Sequence, residues 1–318
     1  NLNCTYCYYL EKQNLYKQQS NFRMPDEILE TFIKQYIESQ EVPVVTFVWQ
    51  GGEPTLLGID FFEKAMEFQK KYAGKKRIEN SFQTNGTTLN DDWCKLFRRH
   101  NMLVGISIDG PGELHDKFRK TRNGGKTFDK VMKGIELLKK YKVEFNTLSV
   151  VNDHNVDYPL EIYHFLKEIG SGFMQFLPIV ERTVDEGEDS PLELVSPEFG
   201  DAAEVTDWSV EPIKYGKFLT TIFDEWVRQD VGKYYVQHFD VALANWIREP
   251  NPGLCVFSEK CGNAMVIEHN GDLYACDHYV YPENLLGNIR QKSIKEMALS
   301  EQQTEFGEKK LKKLPQQC

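Results

Sequence analysis

The feature that most constrains this chain is a rhythm. Short runs rich in β-branched and aromatic residues alternate with amphipathic stretches through its first half. Val44–Trp49, Ile78–Thr84, Leu103–Ile108, Val143–Val151 and Phe173–Pro178 read as buried strands. The stretch opened by Met24-Pro25-Asp26-Glu27 reads as a helix, as do Phe61–Tyr72, Asp91–Arg99, Phe128–Tyr141 and Pro159–Ile169. In the first of these, Pro25 suits the opening turn, and Ile28, Leu29, Phe32, Ile33, Tyr36 and Ile37 make one apolar stripe. Strands spaced by helices imply parallel βαβ units. Parallel strands deliver their following loops to one rim, and three of those loops are polar: Gln50-Gly51-Gly52-Glu53-Pro54, Asn85-Gly86-Thr87 and Ser107 to Gly110. Turn chemistry alone accounts for Gly, Asn and Asp. Three such loops on one rim of a (β/α) barrel, joined by a cysteine loop, favour a site.

That cysteine loop is Asn3-Cys4-Thr5-Tyr6-Cys7-Tyr8-Tyr9. Two thiols two residues apart can hold zinc or an iron–sulfur cluster, or form a redox dithiol. The seven cysteines are not spread as a secreted disulfide framework. Cys4 and Cys7 lie at one end, Cys255, Cys261, Cys276 and Cys318 at the other. Cys94, in a helical stretch, reads as a small buried hydrophobe. A reducing, cytoplasmic compartment is expected. With 318 residues, 41% of them hydrophobic, and a net charge of −10, the chain holds one large domain, or one and a small appendage. The acidic balance argues against a nucleic-acid surface. No apolar run reaches membrane-span length and nothing resembles a signal peptide. The chain opens on Asn1, directly on the cysteine motif, and closes on Cys318, so both ends look cut.

Beyond the alternation, Val184–Pro212 is acidic and contains Pro191, Pro197 and Pro212; it reads as a long loop or insertion that ends the barrel. Helices are expected at Tyr215–Arg228 and around Val241–Ile247. Ala264–Glu268 and Asp272–Ala275 flank Asn270-Gly271, a hairpin turn signal. Cys261 precedes this hairpin and Cys276 follows it, so its open ends can meet at a shared ion or cluster. Ile294–Leu299 reads as a short helix, and Lys309-Lys310-Leu311-Lys312-Lys313 as a solvated helix face. On residue type alone, Arg119 in Lys117-Phe118-Arg119-Lys120 is an ordinary solvated charge, and Asp277 a hairpin-end aspartate bonding nearby backbone N–H groups.

These residues resemble a known family. Asn3 to Tyr9 resembles the end of the CxxxCxxC loop of radical S-adenosylmethionine enzymes, and Gln50-Gly51-Gly52-Glu53-Pro54 their GGEP motif. Cys255, Cys261-Gly262, Gly271, Cys276-Asp277 and Leu286-Gly287-Asn288-Ile289 resemble the start of a SPASM domain. With Gln83-Thr84-Asn85-Gly86-Thr87 and Ser107-Ile108-Asp109-Gly110-Pro111, the set is similar to anaerobic sulfatase-maturating enzymes. The first cysteine of the triad would fall just before Asn1, with the strand expected ahead of it, and further SPASM cysteines after Cys318.

The resemblance implies an α/β fold: a partial (β/α)6 TIM-type barrel at 1–183 lacking its first strand, a loop with linking helices at 184–250, and the start of a SPASM domain with a β-hairpin at 251–318. It implies three [4Fe-4S] clusters and S-adenosylmethionine as cofactors. Cys4 and Cys7 would be two of three ligands to the radical cluster. Cys255, Cys261 and Cys276 match ligands of a first auxiliary cluster, and Cys318 the first ligand of a second. Cofactor contacts fall on Tyr6, Gly52, Ser107 and Arg119, and more loosely on Val180. Glu53 would receive the cofactor's ammonium, and Gln50 would face cofactor or substrate. Asp277 matches the general base, and a neighbouring cluster-bound thiolate would raise its pKa.

The implied activity is oxidation of a cysteine or serine, in a sulfatase segment bound unfolded, to Cα-formylglycine by hydrogen abstraction at Cβ. The implied peptide motif is Cys/Ser-x-Pro/Ala-x-Arg, the electron donor a flavodoxin or ferredoxin, and the chain a monomer. Two rivals share much of this pattern. One is another SPASM peptide-modifying enzyme that makes thioether or carbon–carbon crosslinks; the other is a non-catalytic zinc or iron–sulfur module.

Overall fold

The computed structural model describes the chain except residues 8, 10–11, 13–15, 17–21, 185–192, 195–202, 250–252 and 314–318. The alternation predicted from sequence is present. In order come α1 (Asp26–Ser39), β1 (Val44–Trp49), α2 (Ile59–Tyr72), β2 (Arg77–Thr84), α3 (Asp91–Arg99), β3 (Leu103–Ser107), a short α4 (Gly112–Asp116), α5 (Phe128–Lys140), β4 (Phe145–Val151), α6 (Pro159–Glu168) and β5 (Phe173–Pro178). Local chemistry explains where they begin. Asn90 Oδ1 accepts from the N–H groups of Asp92 and Trp93, at 3.1 and 3.0 Å, and so starts α3. That helix buries Trp93, Cys94, Leu96 and Phe97. Cys94 is fully buried, as its sequence context predicts.

The stretch expected to be a long loop or insertion contains strands. Strands β6 (Arg182–Val184), β7 (Glu193–Leu194) and β8 (Glu204–Val205) form a three-stranded antiparallel sheet with β6 in the middle. Pro191 and Pro197 lie outside the described residues. After helix α7 (Pro212–Gln229) comes β9 (Tyr235–Val236), then helix α8 (Gln237–Trp246). Strand β9 pairs in parallel with β5, Phe173 opposite Tyr235, and completes a six-stranded sheet ordered β1-β2-β3-β4-β5-β9. The barrel sheet therefore reaches beyond residue 183. Strands of two or three residues carry no readable periodicity, which is why the sequence hid them.

Two compact units emerge. One comprises residues 1–11, 48–56 and 80–243; the other comprises 12–47, 57–79 and 244–318. In the first, β2 to β5 run parallel, with Thr84 opposite Ile106 and Ser107 opposite Leu148. Its core holds Phe82, Val104, Ile106, Ile135, Tyr163, Phe176 and Phe218, each essentially without solvent contact. In the second, α1 packs on α2, burying Leu29, Ile33, Phe62 and Ala65.

The same unit contains β10 (Val266–Ile267), β11 (Asp272–Tyr274), β12 (Leu285–Asn288), α9 (Ile294–Ala298) and α10 (Glu301–Lys312). The expected hairpin is there, and β12, from the Leu286-Gly287-Asn288 motif, adds a third antiparallel strand. Gly271 at φ +88 donates its N–H to Glu268 O and gives the chain the left-handed step the turn needs. Gln35 of α1 ties α9 down: its Oε1 accepts from Ile294 N and its Nε2 donates to Ile289 O, both at 3.0 Å.

Candidate active site

In the first unit, Cys4-Thr5-Tyr6-Cys7 forms a turn closed by Cys7 N–H donating to Cys4 O at 2.9 Å. The residues before it are stapled to neighbouring loops. Asn3 N–H donates to Lys120 O, Leu2 bridges Thr121, and the Asn1 side chain bonds Thr87 Oγ1 and Asn85 Nδ2. Cys4 and Tyr6 are buried against Phe118, with Leu2, Val150, Ile179 and Trp208 packed around them.

Beneath the turn sits a polar node that residue type alone did not reveal. Asp109, fully buried at the end of β3, accepts from Tyr6 OH, from Val150 N–H at 2.9 Å and from Arg119 Nη2 at 3.0 Å. Arg119 Nε stands 2.9 Å from the other carboxylate oxygen, and the guanidinium lies 5.7 Å from the centre of the Tyr6 ring. Arg119 is 7% exposed. The solvated reading of Arg119 is thus overturned: a buried carboxylate ten residues earlier holds the charge inside. His115 supports the same node: its Nδ1 accepts from Asp109 N–H at 3.4 Å, and its Nε2 lies 3.0 Å from Thr127 Oγ1, which donates to Arg119 O at 2.6 Å. Burial lowers its pKa to about 4, so the ring is neutral at physiological pH.

At the end of β1, Gly51 and Gly52 adopt φ +99 and +52 and are exposed on the rim. A Cβ at Gly52 would meet nothing within 4 Å, so open space stands before its backbone. Glu53 turns inward. Its Oε1 accepts from Thr55 N–H, Thr55 Oγ1 and Thr84 Oγ1 at 3.1, 2.6 and 2.7 Å, and its Oε2 from Asn85 N–H at 2.8 Å. The carboxylate therefore bolts two strand-end loops together. Ser107 Oγ accepts from Gln83 Nε2 at 3.0 Å, and Gln50 is exposed on the rim. Val180 is 57% exposed after β5. Tyr6, Glu53, Ser107 and Arg119 thus all lie at strand ends or in the loops beside them, as the barrel reading expects.

In the second unit, Cys255 opens a single helical turn, Cys261 lies before the hairpin and Cys276 just after β11. Cys276 Sγ stands 3.3 Å from Asp277 Oδ1, which also accepts from His278 N–H at 3.0 Å. Asp277 therefore makes the local backbone bond expected of a hairpin-end aspartate. Cys318 lies outside the described residues. The basic run is not wholly solvated: Lys310 Nζ donates to Cys255 O and Val256 O at 2.5 and 3.1 Å, and to Ser258 O. A lysine reads as solvated until the carbonyls that can receive it are known.

Cysteines 4, 7, 94, 255, 261 and 276 are free thiols. Burial pushes the Cys4 thiol up to about 11, while the Arg119 charge acts in the opposite direction and favours a thiolate. Burial likewise pushes Cys276 up to about 12. Among the described residues, no three His, Cys, Asp or Glu side chains are grouped to hold one metal ion. Iron–sulfur clusters spread their thiolates over several irons, and free thiols beside a cation suit that ligation. The exposed Gly51-Gly52 backbone suits close approach of a small ligand.

The comparisons agree with this chemistry. A model of the radical SAM superfamily matches residues 1–166, and one of the SPASM iron–sulfur cluster-binding domain matches 255–318. A serine-type anaerobic sulfatase-maturating enzyme of Bacteroides thetaiotaomicron is 52% identical over 318 residues, covering 100% of this chain and 76% of that protein. A cysteine-type enzyme of Clostridium novyi is 38% identical over 300 residues, 93% of this chain and 75% of its own. A solved structure of native anSMEcpe with bound AdoMet superposes with a TM-score of 0.86 at 34% identity, covering 100% of this chain and 82% of that one. Iron–sulfur clusters and S-adenosylmethionine are accordingly the cofactors, and the chain belongs to the anaerobic sulfatase-maturating enzymes of the radical S-adenosylmethionine superfamily.

Proposed function

We propose that this enzyme oxidises a cysteine or serine of a sulfatase polypeptide to Cα-formylglycine. The observation that carries the reading is likeness along 100% of the chain to a serine-type sulfatase-maturating enzyme and along 93% of it to a cysteine-type one. Related structures of anSMEcpe hold AdoMet with Cp18Cys or Kp18Cys peptides, which supports a peptide substrate. When bound, the cofactors supply one-electron cleavage of a sulfonium, hydrogen-atom abstraction at Cβ and a sink for the second electron.

Cys4 and Cys7 would ligate the radical cluster, while Asp109 fixes their turn through Tyr6. The open backbone of Gly52, the Ser107 hydroxyl and the Arg119 guanidinium would hold S-adenosylmethionine, with Gln50 and Val180 at its margins. Glu53 shapes that rim through the four bonds described above and would receive the cofactor's ammonium on Oε2, which carries only one of them. Cys255, Cys261, Cys276 and Cys318 would ligate auxiliary clusters. The Asp277 carboxylate would take the proton from the substrate thiol or hydroxyl, oriented by His278 N–H on its Oδ1.

The same proposal includes a division into barrel (1–183), linking segment (184–250) and SPASM segment (251–318), with β9 of the linking segment adding the last strand to the barrel sheet. It also includes a flavodoxin or ferredoxin as reductant, a monomeric chain and a cytoplasmic location, the last supported by the free thiols. Among the described residues, no helix is long and apolar enough to cross a membrane.

The test is anaerobic reconstitution of the complete protein with a sulfatase-derived peptide, read by mass spectrometry. Formylglycine should form, and Asp277→Asn should keep S-adenosylmethionine cleavage while its formylglycine output falls at least tenfold. A crosslinked peptide instead of an aldehyde would refute the activity; parent-level formylglycine from Asp277→Asn would refute the base.

A further inference from the structure

Among the described residues of the second unit, helix α10 touches the segments of Cys255, Cys261 and Cys276 through one face. Gln303, Gly307 and Lys310 are spaced four and three residues apart and so lie along the same side of the helix. Gln303, 5% exposed, donates its Nε2 to Gly262 O at 2.7 Å and to Ala275 O at 3.1 Å, the carbonyls flanking Cys261 and Cys276. Gly307 O accepts from Cys261 N–H at 3.1 Å. A Cβ at Gly307 would stand 2.7 Å from Cys261 O, so glycine alone allows this approach. Lys310 closes the set on Cys255, Val256 and Ser258, as described.

We propose that α10 is the positioning clamp of an auxiliary iron–sulfur cluster, with Gln303, Gly307 and Lys310 fixing the backbones of Cys276, Cys261 and Cys255. The inference rests on the reading of those cysteines as cluster ligands. The clamp uses two side-chain donors and one backbone carbonyl because the segments it gathers are irregular backbone, whose N–H and C=O groups need partners. Residues 255–257 form only a single turn, and Cys255 itself is exposed, so little apolar packing could hold it. Lys310 adds a second effect. Its ammonium sits on the carbonyls of Cys255, Val256 and Ser258 and so places a positive charge at a ligand segment. A cation beside thiolate ligands favours the more negative, reduced state of a cluster and raises its potential. Beside Cys261, Gln303 and Gly307 opens a cleft of about 650 Å3.

The experiment uses the complete protein, reconstituted anaerobically, with iron and sulfide analysis, electron paramagnetic resonance and redox titration. Cys276→Ala first assigns the auxiliary signal and should lower bound iron by about four atoms per chain. Unchanged iron and spectrum in that variant would overturn the ligand reading and the clamp with it. Gly307→Ala should lose the same iron while keeping the radical-cluster signal. Lys310→Met should shift the auxiliary midpoint to a more negative potential, and Lys310→Arg should restore it. A parent midpoint in Lys310→Met, or full auxiliary iron in Gly307→Ala, would overturn the clamp while leaving the ligand reading intact.

Discussion

The two cysteine regions are held by opposite means. In the Cys4–Cys7 turn, Cys4 and Tyr6 are buried, and Tyr6 is anchored on one buried ion pair, Asp109 with Arg119. The Cys255–Cys276 region is half-exposed, and neutral carbonyls are gathered by the side chains of one helix. A buried ion pair that loses one partner is left with an uncompensated charge, so the first arrangement fails abruptly. Carbonyl-to-side-chain bonds can be lost singly at modest cost, so the second degrades in steps. The contrast separates a site that must stay fixed and dry from one that can be adjusted.

The sharpest way to break that contrast is Asp109→Ala. It strands Arg119 and frees Tyr6, and should cost about 3–5 kcal/mol in denaturant unfolding. A loss below about 1 kcal/mol would show that water or a neighbouring group takes over, and the abrupt-failure argument would not stand. Next comes acid. His115 has a folded pKa of about 4, below its ordinary value of 6.5, so the unfolded chain takes up a proton that the folded chain refuses. Stability from this group is complete above pH 6.5 and is lost as pH falls towards 4, by roughly 3 kcal/mol in all. His115→Gln should flatten that part of the stability–pH curve.

Glu53→Ala is expected to cost about 1–3 kcal/mol, because buried donors from Thr55 and Thr84 lose their acceptor. Glu53→Gln should recover part of it, as thermal unfolding would show. The smallest effect belongs to the second unit. Ser293 and Glu296 make a reciprocal cap at the start of α9, and Ser293→Ala should cost about 1 kcal/mol. That variant should leave S-adenosylmethionine cleavage unchanged; a cleavage defect would mean the two regions are not independent.

Patterns that live within a few neighbours were legible in the sequence. The five strands, their helices, the Asn270-Gly271 turn and the rim glycines all announce themselves locally. Contacts that depend on distant partners were not. Arg119 sits among lysines, and nothing in that tetrapeptide says that Asp109 will draw it inside. Lys310 reads as a solvent-facing charge because its acceptors lie more than fifty residues earlier. Strand β9 is too short to register, though it closes the edge of the barrel sheet beside β5. Asp109 itself stood in a recognised rim motif; the missing signal was that a carboxylate leaving a buried strand needs a cation partner.

The Tyr6–Asp109–Arg119 node has a consequence for how such a protein can change over generations. A lone replacement of the acid or the base creates an orphan charge in a dry interior, whereas exchanging both for a neutral pair need not. These two positions should therefore drift as a couple or stand still together. Tyr6, which asks only for an acceptor, has the looser tie, and its hydroxyl is the part of the trio that natural variation can discard first.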